Sequence, residues 1–339
     1  MSLYDSIARP LLFLLSPDRS HAIAHAALRA SAPWRAAATL GGWRVDDPRL
    51  SVRFAGLDLP NPIGLAAGFD KNCELMDALA WFGFGFITVG SIMPAARDGN
   101  PFPRLVRYPG TQSLADAMGV PSRGRDYCVA RLRAGRRTQT PLFANIGGFT
   151  AAEIADSFFA VEPYVDAIEI SLMCPNVQPG ESFDELGLLR EVLARIEARR
   201  KPAIVRVPND TAVAPDRLAE LIERCIAAGV AGLKVAGGKP VPEPRLGVKQ
   251  GTLHGRAIFA RAIANVERAA KIARGRIPIK GNGGVSTGAD ALAMLRAGAV
   301  CIDLYSAFIY RGWNVARDIN RELIAARAEA ATASGRALA

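Results

Sequence analysis

The chain has 339 residues, of which 50% are hydrophobic and 22% are charged, and its formal net charge is +10. This composition supports a large buried core and excludes an intrinsically disordered protein. The basic residues are spread along helical segments and only 7% of the residues are aromatic, which argues against nucleic-acid binding. The odd set of five cysteines without a C-x-x-C pair predicts reduced thiols in the cytoplasm, and the three histidines predict no metal site.

The first 45 residues predict a helical extension ahead of the main domain. Two helices are expected, over about residues 3–15 and 18–31, with Ser20 or Asp18 capping the second. The second helix carries its apolar residues on one face, at Ile23, Ala24, Ala27 and Leu28. The apolar run RPLLFLLSP is shorter than the roughly 20 residues that span a bilayer, and it lacks a signal-peptide cleavage site. The helices are therefore expected either to pack on the domain or to rest on a membrane surface.

From about residue 46 the chain alternates short apolar runs with helical patterns. A hairpin in LSVRFAGLDLPNPIGLAAG leads into eight predicted strands: PIGLAAG, FGFITVG, PLFANIG, DAIEIS, PAIVRV, AGLKVAG, IPIKGNGG and VCIDLYS. The helical stretches between them end in glycine just before the next strand, as helix C-caps do. Eight successive units predict an α/β fold, a (β/α)8 TIM barrel over residues 46–325, in preference to an open doubly wound sheet. Residues 326–339 are predicted to form a C-terminal tail.

The active sites of such barrels lie at the C-terminal ends of the strands. Five side chains that follow predicted strands are therefore expected around one opening, namely Lys71, Asn145, Cys174, Asn176 and Arg206. The loops GNGG and YSAF follow the seventh and eighth strands, where these barrels bind phosphate through backbone N–H groups. Glycine lets the backbone approach an anion closely. The sequence thus predicts a phosphorylated cofactor.

Several ordered motifs resemble those of the dihydroorotate dehydrogenase family. They are NPIGLAAGFDK, FGFITVGS, PRLVRY, MGVPSRG, NIGG, CPN, GNGG and YSAFIYRG. The opening LLFLLSPDRSHAIAHAALRA is similar to the N-terminal helices of the quinone-linked, membrane-associated class. The resemblance implies an FMN-dependent oxidoreductase that passes hydride between a carbon–carbon bond of a small substrate and flavin N5. It also implies quinone as electron acceptor and a cytoplasmic location at the inner face of the cell membrane.

The resemblance assigns roles to individual residues. Cys174 stands where the family has its catalytic base, and Lys71 matches the lysine beside flavin and substrate. A nearby cation such as Lys71 is expected to lower the pKa of the thiol. His21 and Arg107 match positions near the quinone tunnel. The residues expected to hold FMN are Ala66, Ala67, Gly68, Ser91, Asn145, Ser171, Arg206, Gly255, Gly283, Gly284, Tyr305 and Ser306.

The expected substrate pocket departs from the family pattern, which holds a pyrimidine ring with four asparagine amides. Asn176 is retained beside Lys71, but Asp116, Ser171 and Gly237 stand at the other three positions. An ionised carboxylate only accepts hydrogen bonds, and Asp116 would repel the carboxylate of dihydroorotate. These residues predict a substrate changed from dihydroorotate. The alternatives are a genuine dihydroorotate dehydrogenase, a non-catalytic flavin-binding barrel, and an isomerase-like barrel without flavin.

Three charged residues occupy predicted strands on which the family usually has aliphatic or neutral residues. They are Lys234, Lys280 and Asp303, on the sixth, seventh and eighth strands. Because these strands are neighbours in a barrel, an ion-pair network is expected, either reaching the substrate pocket or serving the fold alone.

Overall fold

The computed structural model describes residues 3–135, 139–172, 185–207 and 215–337. Three helical segments precede the barrel. The first joins a π-helical turn (Tyr4–Ala8) to α1 (Arg9–Leu14), and α2 (Pro17–Arg29) and α3 (Ser31–Gly41) follow. The predicted caps of α2 are wrong, because the Ser16 side chain accepts from the Arg19 N–H at 3.4 Å. Pro17 favours this start, since proline suits the first helical position.

The helix α3 was missing from the prediction. Its third residue is proline, which breaks a helix when it stands in the helix interior. Proline is tolerated in the first turn of a helix, where its missing N–H has no intrahelical acceptor. A single residue, Ala30, separates α2 from α3.

Sixteen short strands follow the helices in the described part of the chain. They are β1 (Val52–Phe54), β2 (Leu57–Leu59), β3 (Ile63–Leu65), β4 (Phe86–Ile92), β5 (Ala96–Arg97), β6 (Leu105–Tyr108), β7 (Ser113–Asp116), β8 (Ser122–Arg123), β9 (Leu142–Gly147), β10 (Ala167–Ser171), β11 (Ala203–Val207), β12 (Gly232–Val235), β13 (Lys239–Pro242), β14 (Gln250–Gly255), β15 (Ile279–Asn282) and β16 (Ala299–Leu304). Eight of them close into a parallel barrel in the order β3, β4, β9, β10, β11, β12, β15 and β16. These are the eight predicted strands, so the predicted (β/α)8 barrel is confirmed.

Helices cover the outside of the barrel. They are α4 (Met76–Leu79), α5 (Arg125–Arg133), α6 (Ala151–Val161), α7 (Glu185–Arg195), α8 (Pro215–Ala227), α9 (Phe259–Ala273), α10 (Gly288–Arg296), α11 (Ser306–Arg311) and α12 (Val315–Ala337). The last helix packs on α10, where the Gly288 N–H donates to Glu322 at 2.7 Å. It continues without a break past residue 325, where the barrel was predicted to end and the tail to begin.

Two small sheets inserted between barrel strands were not predicted. The larger is antiparallel, with strand order β13, β14, β7 and β6, and the smaller pairs β5 with β8. The larger sheet joins a segment that follows β4 to a segment that follows β12. It therefore brings Asp116 and His254, which are 138 positions apart along the printed sequence, onto adjacent strands.

An aromatic layer fills the N-terminal half of the barrel. The ring of Phe143 packs between Phe54, which comes from the predicted hairpin, and Phe86, with centroid distances of 6.4 and 5.0 Å. Gly232 and Gly64 leave room for these rings, since an added Cβ would come within 2.7 Å of Phe54 and 2.2 Å of Phe86. The hairpin thus seals this end of the barrel.

A layer of four buried charges lies directly above the aromatic rings. Lys234 Nζ contacts Glu169 Oε1 at 2.8 Å and Asp303 Oδ2 at 2.9 Å. Lys280 Nζ contacts Glu169 Oε2 at 2.5 Å and Asp303 Oδ2 at 3.2 Å, and lies 5.3 Å from the centroid of the Phe86 ring. The predicted network is confirmed. Its fourth member, Glu169, was missed, although an acidic residue inside the apolar run AIEIS is a recognisable signal.

The two lysines keep Glu169 ionised. Burial alone would raise the pKa of this carboxyl, but the attraction of Lys234 and Lys280 outweighs it and lowers the pKa to about 2. Burial likewise opposes the charge of Lys280, and the Asp303 and Glu169 carboxylates reverse that effect and raise its pKa. Each charge of the layer therefore depends on the opposite charges around it.

We expect Glu169→Gln to lower the free energy of unfolding by about 3–5 kcal/mol, because it leaves two buried ammonium groups facing one carboxylate. Chemical denaturation of the variant and of the wild type measures the loss. A matched control is Glu223→Gln, which removes an exposed partner of Arg276 and should cost much less, because solvent screens an exposed ion pair.

The pH dependence gives a second readout of the same variant. Because the folded-state pKa of Glu169 is depressed from 4.5 to about 2, its stabilising effect is complete above pH 4.5 and is lost as the pH falls through that window. Equal losses in Glu169→Gln and Glu223→Gln, or a difference that does not shrink in acid, would contradict the assigned role.

Candidate active site

A pocket of about 190 Å³ lies at the C-terminal ends of the barrel strands. Ten of the predicted site residues line it, namely Ala66, Ala67, Gly68, Lys71, Ser91, Asp116, Asn145, Ser171, Arg206 and Tyr305. Cys174 and Asn176 lie outside the described residues. The lining also includes Lys234, whose network was expected either to reach the pocket or to serve the fold alone. Glu169, Thr252 and His254 line it as well and were not predicted.

The floor of the pocket is a chain of hydrogen bonds that leads into the buried charge layer. The Ser91 hydroxyl donates to Asn145 Oδ1. Asn145 Nδ2 donates to Glu169 Oε1 at 2.7 Å and to Ser171 Oγ at 2.9 Å. Because Glu169 is held by the lysines below, these bonds fix the orientation of the Asn145 amide. The charge network therefore reaches the pocket, as one of the two predicted possibilities stated.

Lys71 follows β3 and is partly buried at the edge of the pocket. Its Nζ donates to the Gly68 carbonyl at 2.6 Å and lies 3.4 Å from His21 Nε2. Burial lowers the pKa of Lys71 to about 8, an effect that the Asp116 and Asp70 carboxylates partly offset. A lysine with a pKa this close to neutrality changes charge in the range where enzymes work.

Asp116 and His254 face the pocket from the inserted antiparallel sheet. The His254 Nε2 atom lies 2.9 Å from Asp116 Oδ2. In the register of β7 and β14, Asp116 is opposite Thr252 and His254 is opposite Leu114, so the pair is a diagonal contact on one face of the sheet. Sequence reasoning identified Asp116 and missed His254, because only the strand pairing brings the imidazole to the carboxylate.

The predicted glycines form a tight junction beside the pocket. An added Cβ on Gly283 would come within 3.3 Å of the Gly237 Cα, and one on Gly284 would come within 2.7 Å of the Gly255 carbonyl oxygen. The loops after β12, β14 and β15 therefore meet at one place, where the side chains of Ile258 and Ala262 also pack against the glycines. Ser306 begins α11 next to Tyr305, which lines the pocket.

The residues present suit a flat cofactor with a polar edge and a phosphate. One wall is built of Ala66, Ala67 and Gly68. Gly68 has a φ of +99°, and an added Cβ there would find only the Tyr305 ring, at 3.7 Å, so the position borders open space. Ser91, Asn145 and Arg206 add a hydroxyl, an amide and a cationic group to the lining. The glycine junction lies next to the lining residues Ala236 and Asn282, and glycine lets the main chain approach an anion closely.

A second, apolar cavity of about 380 Å³ lies between the N-terminal helices and the barrel. His21 and Arg107, the predicted quinone residues, both line it, together with Ile23, Ala24, Ala27 and Leu28 of the predicted apolar face of α2. Arg107 Nη1 donates to the Leu15 carbonyl at 3.0 Å. Tyr305 lines both cavities.

The histidine at the junction of the two cavities is uncharged at neutral pH. Burial, together with the positive charges of Lys71 and His25, lowers the pKa of His21 well below its usual value. The neighbouring His25 holds α2 to the loop after β3 through a 2.6 Å hydrogen bond between its Nε2 and the Phe69 carbonyl oxygen. The wall between the cavities is therefore built by Lys71, His21, Phe69 and Tyr305.

The N-terminal segment presents its large apolar side chains to solvent. Those with substantial exposure are Leu3, Ile7, Leu11, Leu14, Leu15, Ile23 and Leu40. Within the described ranges, the helices are too short or too polar to cross a bilayer. The same ranges contain no group of three or more histidine, cysteine, aspartate or glutamate side chains arranged to hold a metal ion.

Comparison with known proteins identifies relatives along nearly the whole chain. The family model "Dihydroorotate dehydrogenase" matches residues 49–326. Proteins named dihydroorotate dehydrogenase (quinone) from Alkalilimnicola ehrlichii and Methylococcus capsulatus are 36% and 35% identical, covering 91% and 95% of this chain and 95% and 99% of their own. The crystal structure of DHODH in complex with ferulenol from Eimeria tenella has a TM-score of 0.79 at 26% identity, and covers 94% of this chain and 95% of its own.

We expect the Lys71 side chain to titrate near pH 8 and not near the ordinary value of 10.5. The ¹³Cε resonance of lysine-labelled protein, assigned by its loss in Lys71→Arg, measures the midpoint. Because Asp116 raises the pKa of Lys71, Asp116→Asn should move the midpoint further down. A midpoint that is ordinary, or that rises in Asp116→Asn, would refute the assigned electrostatics.

Proposed function

The chain belongs to the dihydroorotate dehydrogenase family, and we propose that it is an FMN-dependent oxidoreductase that oxidises a carbon–carbon bond of a small ring substrate and delivers the electrons to a quinone. Dihydroorotate, oxidised to orotate, is the first substrate to test. The observation that supports this most directly is the pocket at the barrel mouth. It combines Lys71, Asn145 and Ser91, and it adjoins an apolar cavity through Tyr305. The glycines of the junction do not line it themselves, but two of them directly follow the lining residues Ala236 and Asn282.

FMN would lie across the mouth, held by residues from several strand ends. Ala66, Ala67 and Gly68 would face its ring system, and Ser91, Asn145, Ser171 and Arg206 would supply hydrogen bonds to its polar edge. Gly255, Gly283, Gly284 and Ser306, beside Tyr305, would hold its phosphate. When bound, FMN supplies a hydride acceptor at N5, while the protein supplies orientation and proton transfer.

Cys174 is proposed to take the proton from the substrate carbon. Ser171 ends β10 at the pocket, and three residues of chain reach at most about 10 Å, so the loop that carries Cys174 begins beside the site. A thiol acts as a base when its pKa is lowered by a nearby cation, and Lys71 at the pocket edge is the proposed cation. Asn176 in the same loop is proposed to bind the substrate ring.

The apolar cavity is proposed to receive the quinone. His21 and Arg107 line a space that is otherwise largely apolar, which suits a ring with two carbonyl groups and a hydrocarbon tail. The exposed leucines and isoleucines of residues 3–40 support a location at the inner face of the cell membrane, where such a molecule is dissolved. Residues 1–45 would then be a membrane-resting extension of the FMN-binding barrel.

A second candidate function is the same flavin chemistry on a different substrate. The observation that favours it is that three of the four asparagine amides with which the family holds the substrate ring are replaced in this chain. Asp116 presents a carboxylate at the pocket, Ser171 a hydroxyl, and Gly237 has no side chain because its main chain packs on Asn282 and Ala262. A buried polar group that loses its partner costs about 1–3 kcal/mol, so several such losses would weaken the binding of dihydroorotate.

Anaerobic titration distinguishes the two functions. We expect the purified protein to contain FMN and excess dihydroorotate to bleach its visible absorbance, whereas a band that only dithionite bleaches would indicate the changed substrate. In Cys174→Ala the bleaching rate should fall by about 10²–10⁴-fold, which is the usual contribution of a general base. Cys225→Ala removes a buried thiol that packs between helix and barrel and serves as the matched control. Equal rates in the two variants would exclude Cys174 as the base.

Filling the apolar cavity should separate the two half-reactions. We expect Ala24→Phe, which places a ring in the cavity, to leave flavin reduction by substrate intact and to slow reoxidation by a short-chain quinone in stopped-flow measurements. Ala26→Phe lies on the exposed side of α2 and should change neither rate. If Ala24→Phe leaves reoxidation unchanged, the quinone does not use this cavity.

A further inference from the structure

A polar contact crosses the wall between the two cavities. Lys71 lines the pocket at the barrel mouth and His21 lines the apolar cavity, and Lys71 Nζ lies 3.4 Å from His21 Nε2. We propose that these two side chains pass a proton from the barrel mouth to a quinone in the apolar cavity. This inference rests on the proposed function and adds to it the route by which the acceptor is protonated.

The proposed reaction leaves the acceptor one proton short. A hydride carries two electrons and one proton, and the ring substrate releases its second hydrogen as a proton, to Cys174 at the barrel mouth. A quinone takes up two electrons and two protons when it becomes a hydroquinone. One proton must therefore reach the apolar cavity separately from the hydride, while the oxidation of the substrate releases one on the other side of the wall.

The contact determines which ring nitrogen of His21 carries its hydrogen. An ammonium group has three N–H donors and no acceptor, whereas a neutral imidazole has one nitrogen of each kind. Lys71 donates one N–H to the Gly68 carbonyl at 2.6 Å, and a second N–H directed at the uncharged His21 requires an unprotonated Nε2. The hydrogen of His21 is then on Nδ1, so the imidazole can accept a proton at one nitrogen and release one at the other.

The other ionisable side chains that line the apolar cavity, within the described residues, keep their protons near neutral pH. Burial raises the pKa of Tyr4 to about 12, and its hydroxyl donates to the Ile309 carbonyl at 2.5 Å. Burial also raises the pKa of Tyr305, and the guanidinium of Arg107 stays charged. His21 is therefore the side chain of this lining that can exchange a proton with a bound quinone.

Each proton in the transfer has a donor and an acceptor. An N–H bond of Lys71 breaks and one forms at His21 Nε2, while the Nδ1–H bond breaks and an O–H bond forms on the quinone. The electrons come from the ring substrate, and the neutral Lys71 amine recovers a proton from the pocket. His21 returns to its first tautomer by proton exchange after the hydroquinone has left.

The rate of the transfer should follow the charge of Lys71. Burial lowers the pKa of Lys71 to about 8, so the ammonium form that gives the proton is lost as the pH rises through 8. Charged and titratable groups from several elements act on the amine or the imidazole, namely Asp18, His25, Asp70, Arg104 and Asp116. We expect reduction of the quinone to slow above about pH 8, whereas an acceptor that takes up no proton should not show this dependence.

Two acceptors separate proton delivery from a structural effect, because a quinone takes up protons and the ferricenium ion takes up only an electron. FMN-loaded wild type and the variants H21L, K71M and H21L/K71M are reduced with dithionite and mixed with a short-chain ubiquinone or with ferricenium in stopped flow. We expect the ratio of the limiting rates with quinone and with ferricenium to fall by about 10²-fold or more in H21L and in K71M. The double variant should show no further fall, because both residues act on one path.

A matched control alters the neighbouring imidazole of the same helix. H25Q keeps an N–H donor for the Phe69 carbonyl, which His25 Nε2 contacts at 2.6 Å, and should retain the wild-type ratio. Flavin content and circular dichroism of each variant identify a loss of folding.

The tautomer of His21 gives a readout that does not depend on turnover. In protein labelled with ¹⁵N-histidine, the Nε2 resonance of His21, assigned by its loss in H21L, should have the chemical shift of an unprotonated imidazole nitrogen. The shift should change in K71M, which removes the ammonium donor.

Four results would overturn the inference: a protonated Nε2 in the wild type, an unchanged ratio in H21L or K71M, a multiplied loss in H21L/K71M, or an effect of H21L confined to the quinone concentration at half-saturation. A wild type that ferricenium reoxidises and quinone does not would overturn it together with the quinone site. The proposed flavin chemistry fails separately, if the purified protein contains no FMN or if no ring substrate reduces it.

Discussion

The attraction between two lysines and two carboxylates in the middle of the barrel is the interaction on which the site depends. Transferring four charges from water into the barrel is costly, and only close, mutual pairing offsets the cost. In this chain the pairing joins β10, β12, β15 and β16 across the barrel interior. The layer rests on the aromatic rings below and, through Glu169, orients the Asn145 amide above. Fold stability and site geometry are thus maintained by the same contacts.

A thin wall of side chains separates the two cavities, and residues of the N-terminal helices form part of that wall. His21 comes from α2 and Lys71 from the loop after β3, and they approach to 3.4 Å. His25, from the same helix, also forms a hydrogen bond with the Phe69 carbonyl oxygen. Helix α2 is therefore part of the wall between the cavities. The pKa of Lys71 is lowered by burial, and His21 of α2 is one of the groups that bury it. The titration of this pocket residue therefore depends on a segment outside the barrel.

The barrel and much of the pocket were predictable because periodic apolar strands and glycine turns are local signals. The eight strands, the glycine loops and three lining residues at strand ends, Lys71, Asn145 and Arg206, follow from this reasoning. The other seven predicted lining residues follow from the resemblance of the motifs to the dihydroorotate dehydrogenase family. Glu169 and His254 do not, because each acquires its partner through pairing between distant segments: Glu169 with lysines 65 and 111 positions away, and His254 with Asp116 through an inserted sheet. The helix α3 was not among the two predicted N-terminal helices, and it begins one residue after α2 ends. Cys174 and Asn176 lie outside the described residues, so their roles still rest on sequence motifs.

The separate linings of the two cavities have a kinetic consequence. Among the residues that the structure describes, Tyr305 is the one that lines both, so a molecule in the apolar cavity does not occupy the space at the barrel mouth. In the proposed function, the oxidised ring product and the incoming acceptor can therefore be present on the protein together, and neither has to wait for the other to dissociate. The proposed function then implies a two-site ping-pong scheme, in which the product at the mouth competes with the ring substrate and not with the acceptor.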